Sequence, residues 1–180
     1  MLFLFLACWA KGQDTGENAQ EEFGCGERNT HVTIGSGEFE WEDLTANDEV
    51  VMVHGPQGGW HMLGSIRLSG SEQIVEIDYT IRDIASNVIV SDNHYRVALV
   101  MDGECQGYYP GMYGYLNVTD LAVGDLDTPP ELLAQNTLEM VMKANDCPVS
   151  KDEQGLCSRD ERWAENSISV LAVKDPIDID

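Results

Sequence analysis

The chain has 180 residues, with 10 Lys and Arg against 32 Asp and Glu, a formal net charge of −22 and a pI near 4.2. That length suits one domain with its own core, and the charge repels nucleic acid and anionic lipid while leaving cationic partners and divalent cations open. A hydrophobic content of 43% excludes a wholly disordered acidic chain, so the carboxylates are spread over the surface and loops of a folded body.

The first segment bears on compartment. Leu2-Phe3-Leu4-Phe5-Leu6-Ala7-Cys8 is an apolar run ending in a small residue and a cysteine, with no Lys or Arg ahead of it. It resembles the end of a bacterial lipoprotein signal, in which Cys8 becomes the lipidated anchor; an ordinary secretory signal or a buried N-terminal strand is the alternative. A spanning helix needs about 20 apolar residues, and polar sequence begins at Lys11. The expected organisation is a signal over residues 1–8, a flexible acidic tether over 9–30 and a folded domain over 31–180. The protein is expected to be exported, as an outer-membrane or cell-surface lipoprotein that meets the membrane through the lipid alone.

Setting Cys8 aside leaves Cys25, Cys105, Cys147 and Cys157, an even set that in an exported chain reads as two disulfides. The short span from Cys147 to Cys157 favours that pair, leaving Cys25 with Cys105. Zinc is the rival reading, but no Cys-x-x-Cys is present.

Strand signals begin at His31-Val32-Thr33-Ile34 and Glu38-Phe39-Glu40-Trp41, where polar and apolar residues alternate. A turn cluster at 45–48 precedes a strand over Val50 to His54. After the next turn, Trp60 to Ser69 and Gln73 to Arg82 alternate cleanly, with Val75, Ile77, Tyr79 and Ile81 on one face. Asn87 to Ser91 and His94 to Met101 flank Asp92-Asn93 and read as a hairpin. Residues 103–116, rich in Gly and Tyr, read as a long loop or short irregular strands. A helical turn is expected over Glu131 to Gln135, then a strand over Thr137 to Ala144. A polar loop over 147–166 and a last strand over Ser167 to Lys174 follow, with Asp175-Pro176 as the stop. About nine short strands with turn signals every 8 to 12 residues predict an all-β fold, a two-sheet antiparallel β-sandwich that is immunoglobulin-like in architecture.

The stretch His54-Gly55-Pro56-Gln57-Gly58-Gly59-Trp60-His61 poses a question of register. A three-residue hairpin loop sets His54 across from Trp60, whereas a four-residue loop sets His54 across from His61, whose Cβ atoms would then be about 4.5 to 5.5 Å apart. The four-residue register gathers Val51, Val53, Met62, Ile66 and Leu68 on one apolar face and is the one the hydrophobic pattern favours. It would let His54 and His61, with Met52, hold copper or zinc; in the plainer reading the segment is a sharp turn with locally packed histidines.

This motif, Gly55-Pro56-Gln57-Gly58-Gly59-Trp60-His61 followed by Gly64-Ser65-Ile66-Arg67-Leu68, resembles the core motif of a family of uncharacterised exported bacterial lipoproteins. The resemblance covers residues 48–70 most strongly. It implies an exported bacterial β-domain and no particular activity or substrate.

Other constellations are weaker. Gly35-Ser36-Gly37 and Gly64-Ser65 lack the Gly-x-Ser-x-Gly setting of a hydrolase nucleophile. The acidic segments Asp120 to Asp127 and Asp175 to Asp180 could take calcium but do not match EF-hand spacing. Trp60, Tyr108, Tyr109, Tyr113 and Tyr115 supply large rigid area with polar tips and are the expected contact surface. The leading functional expectation is a non-catalytic, envelope-tethered binding or adhesion module for an envelope or extracellular ligand. A metal-binding envelope protein using His54 and His61 comes second, and a secreted hydrolase last.

Overall fold

The computed structural model describes residue 25 and residues 29–55, 58–121, 124, 127–145 and 163–178. The Cys8 anchor, the Cys147–Cys157 pairing, nearly all of the 9–30 tether and the loop residues Pro56 and Gln57 lie outside the described residues. No described helix is long and apolar enough to cross a membrane.

Ten strands carry the fold: β1 (His31–Ser36), β2 (Glu42–Asp43), β3 (Glu49–His54), β4 (Trp60–Ser69), β5 (Ile74–Asp83), β6 (Val88–Ala98), β7 (Val100–Gly103), β8 (Gln106–Tyr115), β9 (Thr137–Asn145) and β10 (Ala164–Lys174). The described helical elements are α1 (Pro129–Leu133) and single 3₁₀ turns such as Pro176–Asp178, which follows the predicted stop at Asp175. The all-β expectation therefore holds. The strands do not divide into two antiparallel sheets, however. They form one sheet in the order β2-β1-β4-β3-β10-β9-β5-β6, with β8 on the second edge of β4 and β7 beyond it. One pair departs from antiparallel: β3 and β10 run parallel, from Leu171↔Glu49 to Lys174↔Met52.

The sheet curls until β4 and β8 stand across from β5 and β9. Two glycines set that approach: a Cβ at Gly64 would lie 2.6 Å from Met142 Cε and 2.8 Å from Tyr79 Cζ, and one at Gly114 would lie 2.5 Å from Ile81 Cδ1. Met52, Met62, Ile66, Leu68, Ile77, Tyr79, Ile81, Met140 and Met142 fill the interior without solvent exposure, at the alternate positions the period-two pattern selects. The Tyr79 hydroxyl is buried there with no hydrogen-bond partner among the described residues. Burial pushes its phenol upward, so it stays protonated.

Two local expectations are corrected. Asp92-Asn93 does not turn the chain: β6 runs straight through it, with Thr80↔Asp92 and Tyr79↔Asn93 in the β5 ladder. The turn lies earlier, between β5 and β6, where Asn87 takes φ 60°, a left-handed conformation that Asn tolerates better than most residues. Residues 106–115 are not a loop but a full strand pairing with β4, because its tyrosines favour strand and its glycines admit close neighbours on the inner face. The expected helical turn forms two residues early, as α1, where the Glu131 carboxylate accepts from the Thr128 N–H at 2.8 Å and its hydroxyl at 2.9 Å.

Cys25 and Cys105 form a disulfide with Cα atoms 5.5 Å apart, as the cysteine pattern predicts. It ties the segment ahead of β1 to the β7–β8 turn. There the Cys105 carbonyl also accepts from the Gly70 N–H at 2.7 Å, and the Cys25 N–H donates to Glu72 Oε1 at 2.7 Å.

Candidate functional site

The β3–β4 hairpin adopts the three-residue register. Met52 pairs with Met62, Val53 with His61 and His54 with Trp60, and the Gly55 N–H donates to the Gly59 carbonyl at 2.9 Å. The four-residue register fails because Val50 and Met52, not Val51 and Val53, face the interior opposite Met62. Met serves there as an adaptable core residue. His54 and His61 consequently sit on opposite faces. The exposed His54 meets Trp60 edge to face at 5.0 Å, and Met52 is sealed in the core, so the structure does not bring these three together. Among the described residues no three His, Cys, Asp or Glu side chains converge as a metal site.

His61 points to the outer face of β4, yet it is only 5% exposed. Its ring meets Tyr113 at 4.7 Å and Tyr115 at 6.3 Å, both edge to face. Burial lowers its pKa, partly opposed by the Glu38 charge, so the imidazole is neutral at neutral pH. Tyr113 and Tyr115 stack with centroids 5.8 Å apart and planes 18° apart. They remain 39% and 59% exposed. The Tyr95 hydroxyl donates to the Tyr113 carbonyl, fixing the edge of β8 to β6. Burial and the neighbouring Tyr115 push the Tyr95 phenol up to about 12, so it remains a donor.

A β-bulge decides which tyrosines share this face. Between Gly64↔Met112 and Ile66↔Tyr109, β8 carries Pro110 and Gly111 against Ser65 alone. The extra residue shifts the alternation: Tyr108 joins Tyr113 and Tyr115 outside, while Tyr109, like Trp60, packs against the core. The expected surface is thus divided, with three tyrosines outward and Tyr109 and Trp60 inward. Pro110 suits a bulge because it has no N–H to offer a ladder. Gly111 holds φ 68°, and a Cβ there would run into the Glu38 carbonyl.

The segment between β1 and β2 folds over the same face, a feature that the alternation of Glu38 to Trp41 concealed. The Gly37 carbonyl accepts from Ser65 Oγ at 3.1 Å and from the Gly111 N–H at 3.0 Å. Trp41 lies on Gly35, where a Cβ would sit 2.6 Å from its ring, and donates from Nε1 to Asp43 at 2.9 Å. The Arg67 guanidinium is held between two rings, 4.8 Å from the Trp41 centroid and 5.5 Å from the Tyr108 centroid. Its Nη2 meets Asp102 at 3.0 Å. The sequence signal for this arrangement was Gly35-Ser36-Gly37, punctuation that interrupts a strand directly before two aromatic residues.

No protein-family model and no curated protein matches this sequence. Among solved structures, the chain is similar to the CooA pilin subunit from enterotoxigenic Escherichia coli. The two are 11% identical, with a TM-score of 0.35 over 83% of this chain and 100% of that one.

Proposed function

We propose that the protein is a non-catalytic binding or adhesion module of the cell envelope, exported and tethered through Cys8, whose contact surface is the outer face of β4 and β8. The observation that carries this reading is the stacked pair Tyr113 and Tyr115, exposed beside a buried His61 on the long β4–β8 ladder. Rigid tyrosines present large contact area at low cost in conformational entropy. Export is supported by the Cys25–Cys105 disulfide, since such bonds persist in oxidising compartments.

The reading is tested by placing the photo-crosslinker p-benzoylphenylalanine at Tyr115 or, on the opposite outer face, at Glu165. In cells that make the protein, irradiation should give a discrete adduct with an envelope or extracellular partner from position 115 and none from 165. Equal labelling from both, or none from 115, would remove the proposed face. The anchor is tested separately by intact-mass analysis, where lipid mass on Cys8 should vanish in Cys8→Ser.

A further inference from the structure

The contact face contains an internal precedent for the chemistry of its partner. At one end of the strand pair, the Arg67 guanidinium lies between the Trp41 and Tyr108 rings with the Asp102 carboxylate at its edge. Farther along the same strands, Tyr113 and Tyr115 supply a second aromatic pair, stacked on each other and 39% and 59% exposed, with no guanidinium of this chain against it among the described residues. A carboxylate is at hand there too. The Glu38 backbone abuts Gly111, its side chain is exposed, and its charge acts on His61, the ring against which Tyr113 packs. His61, against which Tyr113 packs, is kept neutral by burial, so it does not oppose an incoming cation.

We infer that Tyr113, Tyr115 and Glu38 dock an arginine-rich segment of a partner protein, an inference that rests on β4 and β8 being the contact face. Charge complementarity selects the partner. A chain of net charge −22 draws basic segments in by its long-range field, and the tyrosine rings then discriminate among them. A guanidinium is planar, weakly hydrated and able to lie on a ring while pairing with a carboxylate; a lysine ammonium is strongly hydrated and lacks that plane. An uncharged glycan could stack on the rings and donate hydroxyls to Glu38, but it would gain nothing from the long-range field.

The test titrates the full chain with fluorescent alternating Arg-Ser, Lys-Ser and Gln-Ser peptides and with cellohexaose, at two salt concentrations. The Arg-Ser peptide should bind about threefold more tightly than the Lys-Ser peptide, and the Gln-Ser peptide should not bind. Tyr113→Ser/Tyr115→Ser should weaken the Arg-Ser peptide about tenfold and Glu38→Gln about threefold. Tyr115→Phe, which keeps the ring, and Glu165→Gln, which removes one charge from the far face, should leave affinity unchanged. Thermal melts of each variant separate lost binding from lost folding, and if the double variant unfolds, the single Tyr115→Ser at the 59% exposed position removes one ring and should still weaken the Arg-Ser peptide relative to Tyr115→Phe. Equal affinity of the parent and a folded double variant would reduce the interaction to bulk charge attraction and overturn the inference. Cellohexaose binding that needs the tyrosines, without Arg-Ser binding, would overturn the arginine partner while leaving the contact face standing. Loss of the face itself is read from the crosslinking at Tyr115.

Discussion

The two outward faces of the curled sheet are made from strands of similar length and burial, yet they are held by different forces. On β4 and β8, rings pack on rings and on a guanidinium, and the segment between β1 and β2 is hydrogen-bonded down onto them at Gly37. On β5, β6, β9 and β10, polar and charged side chains meet across strands: the Asp78 carboxylate with His94 Nδ1 at 2.7 Å, Lys143 with Glu165 at 3.1 Å, and Arg82 with Glu139 at 3.8 Å. Those partners are substantially exposed, so each pair contributes at most about 1 kcal/mol and weakens with salt. The aromatic face is therefore expected to depend less on salt than the charged face, whose partners are well solvated. A surface meant for recognition gains from the first arrangement, because side chains already ordered lose less entropy when a partner arrives.

The difference can be broken most forcefully through the covalent tie beside the aromatic face. Opening Cys25–Cys105, whose sequence separation is 80, with Cys25→Ala/Cys105→Ala should lower unfolding free energy by about 4 kcal/mol in urea titrations. Gly111→Ala comes next. Its positive φ and its contact with the Glu38 carbonyl predict a loss of about 2 kcal/mol, together with release of the segment over Ser65, readable as faster amide exchange at Gly37 and Gly111. Arg67→Ala should cost about 1 kcal/mol through lost ring contacts, while Arg82→Ala on the charged face should cost no more than about 0.5 kcal/mol. If the two arginine variants prove equal, the contrast between the faces fails.

The smallest effect is the dependence on pH. His61 is held below its ordinary value by burial, so its unfolded form takes up a proton before the folded form does. Its contribution is complete above the unfolded value of 6.5, and stability should decline as pH falls from there toward the carboxylate range. His61→Gln should flatten that part of the stability profile and leave the profile above it unaltered. A parent profile that is flat there, or one that rises on acidification, would mean that the imidazole is not desolvated as described.

Much of the fold is legible in the sequence because half-buried strands announce themselves by period two. β4, β5, β9 and β10 lie within a few residues of where alternation puts them. The errors arise where one residue changes the parity. Counting Val51 and Val53 as interior put Met52 on the outer face, and that choice shifted the hairpin by one position and set the histidines face to face. The bulge at Pro110-Gly111 hid β8, since a strand that skips a beat does not alternate and its glycines read as loop. Asp92-Asn93 carries strong turn chemistry locally, but the long ladder between ten-residue β5 and eleven-residue β6 overrides it. The tyrosines stand out by composition as large rigid aromatic area. Their division into an outer set and an inner one does not, because the bulge that sorts them is a tertiary feature anchored by Gly37 and Ser65. The Trp41–Arg67–Tyr108 arrangement joins three separate elements, and local pattern shows only the Gly35-Ser36-Gly37 interruption ahead of Trp41.

The position of the Cys25–Cys105 bond has a mechanical consequence. When the chain is pulled from its N-terminal end, tension travels along the backbone only as far as Cys25 and then crosses through sulfur to Cys105, at the entrance to β8. β1, which starts at His31 and would otherwise be the first strand peeled from β4, is left outside the line of force. The pull is delivered instead to the start of β8, which forms the longest ladder on β4, from Ser69↔Gln106 to His61↔Tyr115. Severing the disulfide would return that force to β1.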